Sequence, residues 1–303
     1  MNRSLDHLPA GKRRELELVV AIIREGFAKA LAHRTAPRFR VGKILKIILF
    51  GSYARGDWVD DPVGRYFSDY DLLVVVNHED LTEIGEFWAV TEDRLLEELA
   101  SATRLRTPVS FIYHSIEDVN EKLSLGRYFF VDILREGVLL FDEPGYPLAE
   151  PQPLSPKEAL RETREYYKEW FGSAGEFFDD YRSNLEKGRL KKAAFELHQA
   201  TERLYNAVSL VKGLYAPRTH SLNRLRKLAE EMDARLASVW PIESKLHRRA
   251  YELLRAAYVK ARYSKHYRIT REELEWLGSR VTLLQDLVRT LSEERIASLE
   301  ATG

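Results

Sequence analysis

At 303 residues the chain is long for a single hydrophobic core, so two domains are expected. It has no cysteine, which excludes disulfides, thiol catalysis and a Cys-type structural zinc site. Its net charge is zero but unevenly spread: residues 1–150 hold 19 Lys/Arg and 25 Asp/Glu, and residues 151–303 hold 28 and 22.

No apolar run approaches the roughly 20 residues that span a bilayer, and the first residues lack a long apolar segment. Neither a membrane span nor a secretory signal is expected, and a cytoplasmic protein is the simplest reading. The charge asymmetry fits solvated helix faces. It also fits a basic second half that attracts an anionic partner such as a nucleotide or nucleic acid.

In chain order, residues 16–31 show helical spacing of apolar residues. Ile44–Phe50 (ILKIILF) reads as a buried strand that stops at Gly51, and LLVVV at 72–76 as another. Residues 81–100 predict a helix with Trp88, Leu95, Leu96 and Leu99 on its apolar side. VSFIY at 109–113 is a third strand, 119–133 a helix, and 137–141 a final strand. Five of the eleven prolines then fall within 142–156, which predicts an extended linker. Domains are therefore expected at 1–142 and 157–303, joined by a Pro-rich linker at 143–156. Beyond the linker, helices are expected at 156–185, 190–213, 221–234, 241–263 and 270–299. Thr219 or Ser221 would cap the third, and Thr270 with Glu272 and Glu273 would open the last. Short connections between such helices predict an antiparallel bundle.

Two features of the first half carry chemistry. Gly51-Ser52 ends a strand, and Arg55-Gly56 follows. Glycine lets the backbone approach a ligand closely, turn amides point at anions, and Ser52 and Arg55 add donors for phosphate oxygens. The stretch is not a P-loop, because the closing Lys-Ser/Thr is missing. Asp69 and Asp71 then stand one residue apart at the mouth of the LLVVV strand. On a strand they face the same side, with Cα atoms about 6.5 Å apart, so they can converge on a divalent cation. An acidic turn before a strand is the alternative for the pair taken alone.

Taken in order, strand, Gly51-Ser52, Arg55-Gly56, polar loop, Ser68-Asp69-x-Asp71-Leu72 and strand resemble the DNA polymerase β-like nucleotidyltransferase superfamily. The resemblance implies an α/β (α+β) domain with a mixed sheet. It implies that Gly51, Ser52 and Arg55 hold a nucleoside triphosphate and that Asp69 and Asp71 are catalytic and bind Mg²⁺ (or Mn²⁺). The loop 57–67 carries Trp58 and Arg65, which fit a cover over a base or phosphate, or a loop excursion with no ligand. The superfamily's third carboxylate falls here on Ser110, which cannot ionise for that role. Glu117, Asp118 and Asp132 lie downstream without a sequence signal that places them in the site.

The segments 193–225 and 256–277 resemble a HEPN helical domain, and the whole chain resembles bacterial fusions of a nucleotidyltransferase domain with a HEPN domain. HEPN ribonucleases carry Arg-x(4–6)-His; here Arg262 and His266 are spaced Arg-x3-His, a step of about 100° short on a helix. His198 and Gln199 are candidates for a ligand contact, with a structural hydrogen bond as the alternative for His198. His220 reads as a residue of a capping region. Tyr166, Tyr167, Trp170, Phe177 and Phe178 read as core or dimer contacts. The resemblance as a whole implies Mg²⁺-dependent transfer of AMP from ATP to a hydroxyl acceptor. The helical domain would supply acceptor and homodimer surface. The alternatives are a nucleotide-binding regulator with weakened catalysis, a HEPN ribonuclease controlled by the first domain, and small-molecule modification such as that of aminoglycosides. A toxin–antitoxin-like role fits the same layout.

Overall fold

The computed structural model describes every residue except 33, 59, 62–65, 218, 242, 243 and 303, and describes only the backbone of 38, 60, 61, 66 and 67. The chain forms two compact units, Met1–Pro153 and Leu154–Gly303, which part inside the Pro-rich stretch.

In the first unit, helix α1 (Ala10–Leu31) and a single turn α2 (Pro37–Arg40) lead into strand β1 (Ile44–Phe50). One helical turn, α3 (Ser52–Arg55), follows directly. After the two-residue pair β2 (Asp60–Asp61) and β3 (Tyr66–Phe67) come β4 (Tyr70–Val76), α4 (Ala89–Ser101) and β5 (Val109–Ser115). Helices α5 (Ile116–Ser124) and α6 (Tyr128–Glu136) and strand β6 (Val138–Asp142) complete the unit. The main sheet has the order β5-β4-β1-β6. It is mixed: β1 runs antiparallel to β4 and β6, while β4 and β5 are parallel. Every residue of β1 and β4 is buried, which explains why both read as uninterrupted apolar runs rather than as alternating strands.

Two predicted helices differ in detail. The helix expected at 81–100 begins only at Ala89, after a wide turn over Ile84–Trp88. The buried Trp88 indole N–H donates to the Leu81 carbonyl at 2.7 Å, folding that turn back on itself. The helix expected at 119–133 is two helices, because Gly126 takes φ 62° and ends the first.

The second unit is helical throughout: α7 (Pro156–Tyr166), α8 (Gly172–Glu186), α9 (Leu190–Gly213), α10 (Leu222–Met232), α11 (Lys245–Tyr263) and α12 (Arg271–Thr302). A wide π-turn, Tyr167–Phe171, links α7 to α8 within the span expected as one helix. Helix α9 is the centre of the bundle and packs against α8, α10, α11 and α12. The last helix opens as its sequence predicts: Glu273 N–H donates to Thr270 Oγ1 at 3.2 Å, and Thr270 N–H donates to Glu273 Oε2 at 2.8 Å. Phe178 is buried in the bundle core, and Trp170 and Phe177 pack against it.

Candidate functional site

Strand pairing brings the two sequence features together. Phe50 pairs with Asp71 across β1 and β4, so the Gly51-Ser52 turn lies beside the acidic mouth of β4. Asp71 in turn pairs with Ser110 on β5. Tyr70, Leu72, Val74 and Val76 point into the core built with α1 and α4, so Asp71 faces the opposite side. That side is covered by α5 and α6: Phe50 meets Phe129 edge-on at 5.6 Å, and His114 meets Phe130 at 5.2 Å.

Gly51 has φ 71° and ψ −155°, a conformation that glycine alone adopts readily. It turns the chain from β1 into α3 and places Ser52 under the surface. Ser52 is 8% exposed, and its Oγ is buried with no hydrogen-bond partner among the described residues. A buried hydroxyl without a partner is costly, so this atom points to a ligand oxygen. Asp71 is 6% exposed and Asp69 is half-buried. Ser110 Oγ donates to Asp69 Oδ2 at 3.0 Å. The residue at the third-carboxylate position is thus a donor that orients one of the two acids.

Arg55 is held between acids. Its Nε donates to Asp57 Oδ2 at 3.2 Å, and its guanidinium lies 4.0 Å from Glu136 on α6. Asp132, one helical turn before Glu136, also feels Arg55. Burial first, and then the Glu136 carboxylate, push the Asp132 carboxyl above its ordinary range, against the pull of Arg135 and Arg55. The structure therefore places α6 acids near Arg55. Their 77-residue or greater separation from it left no spacing signal. Asp118 is engaged elsewhere: it pairs with His114 at 2.5 Å and with Lys122. Arg65 lies outside the described residues.

Two hard carboxylates suit Mg²⁺, which keeps positions for water and phosphate oxygens rather than filling a cage of side chains. No group of three or more His, Asp or Glu residues is arranged to hold a metal among the described residues. The unpartnered Ser52 hydroxyl beside Asp71 supplies the matching feature for a phosphate. The residues present fit a metal–nucleotide complex.

In the second unit, α11 ends at Tyr263, so Arg262 and His266 do not share a helix. Arg262 Nε donates to the Tyr258 carbonyl at 2.7 Å, and its guanidinium lies over the Tyr258 and Phe195 rings at 4.4 and 5.1 Å. His266 is exposed in the following turn. His198 is fully buried and its Nδ1 meets the Leu254 carbonyl at 2.9 Å, which is the structural hydrogen bond weighed from sequence. His220 does more than stand near a cap. Its Nδ1 lies 3.1 Å from both oxygens of Glu202, and its ring stacks on Tyr258 at 4.1 Å. Burial raises the Glu202 carboxyl, but hydrogen bonding to His198 and His220 outweighs it and holds the group below the usual range. This cluster joins α9, α11 and the loop before α10.

A mixed sheet with a Gly-Ser turn at the end of β1 and Asp71 at the mouth of the neighbouring β4 is the layout of a nucleotidyltransferase-type domain. Comparison with known families agrees: residues 32–125 match the nucleotidyltransferase domain and residues 167–291 match the HEPN domain. The chain carries an N-terminal nucleotidyltransferase domain followed by a C-terminal HEPN domain. A nucleotidyltransferase-like protein from Exiguobacterium sibiricum 255-15 is similar over 91% of this chain and 77% of its own, at 15% identity and a TM-score of 0.29. A likeness that slight carries no further argument. No curated protein matches the chain. No helix among the described residues is long and apolar enough to cross a membrane.

Proposed function

We propose that the first unit binds a nucleoside triphosphate with Mg²⁺ and transfers its nucleoside monophosphate, AMP from ATP, to a hydroxyl acceptor, whose oxygen bonds the α-phosphorus as the bond to pyrophosphate breaks and the hydroxyl proton is released to solvent. The observation that carries this reading is the buried, unpartnered Ser52 hydroxyl set by strand pairing beside Asp71. Ser52 and Gly51 receive the phosphates, and Arg55 is aimed at them by Asp57 and Glu136. Asp69 and Asp71 hold the metal, with Asp69 oriented by the Ser110 hydroxyl. Bound there, the metal supplies charge neutralisation at the transferring phosphate.

The test is calorimetric titration with ATP and Mg²⁺, paired with transfer of label from α-labelled ATP to candidate hydroxyl acceptors. Binding that disappears in Asp69→Asn/Asp71→Asn supports the reading. Absence of binding, or binding indifferent to that double substitution, removes it. The Ser110–Asp69 hydrogen bond favours a second reading, a nucleotide-binding regulator with weakened turnover, because a serine serves where an acid would. ATP binding without transfer to any acceptor separates the two.

A further inference from the structure

Asp132 has no role in the reading above, although α6 lies on the sheet face that Asp71 shares. Ile47 and Leu49 point into the core built with α1 and α4, so Ile48 and Phe50 face the other side with Asp71. Both meet α6 or its end there. Phe129 lies edge-on to Phe50 at 5.6 Å, and a methyl group at Gly137 would fall 2.8 Å from Ile48 Cγ2. Phe50 is itself the cross-strand partner of Asp71. A step of about 100° per residue puts Glu136 about 20° and Asp132 about 60° round the helix from Phe129, both to the same side. Glu136 lies 4.0 Å from the Arg55 guanidinium. The flank that carries Asp132 is therefore the one turned toward α3. Its two contacts, at Phe50 and at Arg55, bracket the turn of Gly51 and Ser52.

Other acids nearby are engaged. Asp57 and Glu136 pair with Arg55 at 3.2 and 4.0 Å, and Asp118 is taken up by His114 and Lys122. Asp132 pairs only with Arg135 among the described residues, at 3.8 Å between exposed side chains, and such a pair holds a carboxylate weakly. Neighbouring protein desolvates the group in part, while 57% of its side-chain surface stays open. That burial, and then the Glu136 carboxylate, raise its carboxyl against Arg135 and Arg55, which strengthens it as a base. We propose that Asp132 is the proton acceptor of the transfer. It takes the proton of the acceptor hydroxyl as that oxygen bonds the α-phosphorus and the bond to pyrophosphate breaks, and it passes the proton to solvent through its open side. The inference rests on the reading of this unit as a nucleotidyltransferase site.

The experiment uses the full chain, α-labelled ATP with Mg²⁺, and water and glycerol as acceptors. Wild type, Asp132→Asn and Asp132→Ala are compared by the rate of label transfer at saturating ATP and by calorimetric ATP affinity. Both variants should bind Mg²⁺–ATP as wild type does and transfer about 100-fold or more slowly. Added formate, a small carboxylate that fits the space left by the shortened side chain, should restore part of the rate to Asp132→Ala. Transfer at the wild-type rate in both variants overturns the inference. So does a loss of ATP affinity as large as the loss of rate, which would make Asp132 part of the binding surface or of the fold. A slow Asp132→Ala that formate does not restore overturns it as well. Wild type that binds ATP but transfers to neither acceptor removes the transfer reading instead, and wild type that binds no ATP removes the nucleotide site.

Discussion

Substituting Ser52 by alanine should move stability and binding in opposite directions. The Ser52 hydroxyl is buried and makes no hydrogen bond among the described residues. A buried polar group in that state costs about 1–3 kcal/mol. The local backbone does not depend on it, because the Ser52 carbonyl accepts from Gly56 and Asp57 at 2.9 and 3.1 Å whatever the side chain. Alanine also suits the first position of a helical turn. Ser52→Ala should therefore stabilise the unliganded protein by about 1 kcal/mol, after the loss of one oxygen's packing is set against the relief of desolvation. In the complex the same hydroxyl would donate to a charged phosphate oxygen, a bond of about 1.5–3 kcal/mol. Its loss should weaken Mg²⁺–ATP binding roughly 10- to 150-fold. Urea unfolding without nucleotide reads the first effect, and calorimetric titration reads the second. A variant that is less stable by 1 kcal/mol or more and binds ATP unchanged would show that the hydroxyl is structural, and the argument from its isolation would fail.

Other outcomes follow from single contacts. Gly51→Ala forces a side chain into φ 71°, ψ −155°, and should lower urea stability by about 1–3 kcal/mol; a loss under 0.5 kcal/mol would mean that the turn relaxes freely. In the same unit, burial raises the Asp118 carboxyl, but hydrogen bonds from His114 and Lys122 prevail and set it at about 2. Its folded value is depressed, so the pairing contributes fully above the unfolded value near 4 and is lost as pH falls toward 2. Discounted for solvent screening of a half-buried pair, that contribution is roughly 1 kcal/mol. Asp118→Asn should remove it at neutral pH and flatten the stability profile between pH 5 and 2, measured as urea midpoint against pH; an unchanged slope would refute the pairing. In the helical unit, a methyl group at Gly278 would fall 2.3 Å from Tyr181 Oη, which donates to the Leu274 carbonyl at 2.8 Å. Gly278→Ala should lower the melting temperature despite the better helix propensity of alanine, whose advantage is only about 1 kcal/mol; a rise would mean that Tyr181 yields at no cost.

What could be read from the sequence was what is contiguous in it. Ile44–Phe50 was legible because both faces of β1 are buried and the run ends at a glycine with φ 71°. The capping pair Thr270 and Glu273 was legible because its two hydrogen bonds span three residues. The break at Gly126 was missed because a single glycine within an apolar period signals both a tolerated helix residue and a left-handed stop. The wide turn at Ile84–Trp88 was missed because an indole bond to Leu81 decides it, and such bonds leave no periodicity. The pairing of His220 with Glu202 left no signal for the same reason, since the two meet across 18 residues of chain.

The same distinction bears on the site itself. The order of Gly51, Ser52, Arg55, Asp69 and Asp71 marks the positions proposed for phosphate and metal, yet their environment comes from other elements. Asp57 and Glu136 flank Arg55, so two carboxylates share the cation that a triphosphate would engage. An incoming phosphate must outcompete them or use them as guides, and it carries more charge than either. Ser110 adds to this balance from β5. As an acid it would have joined Asp69 and Asp71 as a third negative group in one half-buried space, which the protein without metal would have to tolerate. As a serine it donates to Asp69 at 3.0 Å and removes that repulsion. On the proposed reading, the serine would favour a two-acid site ordered before metal and nucleotide bind, and the demand for a proton acceptor would fall on groups outside the strand pair.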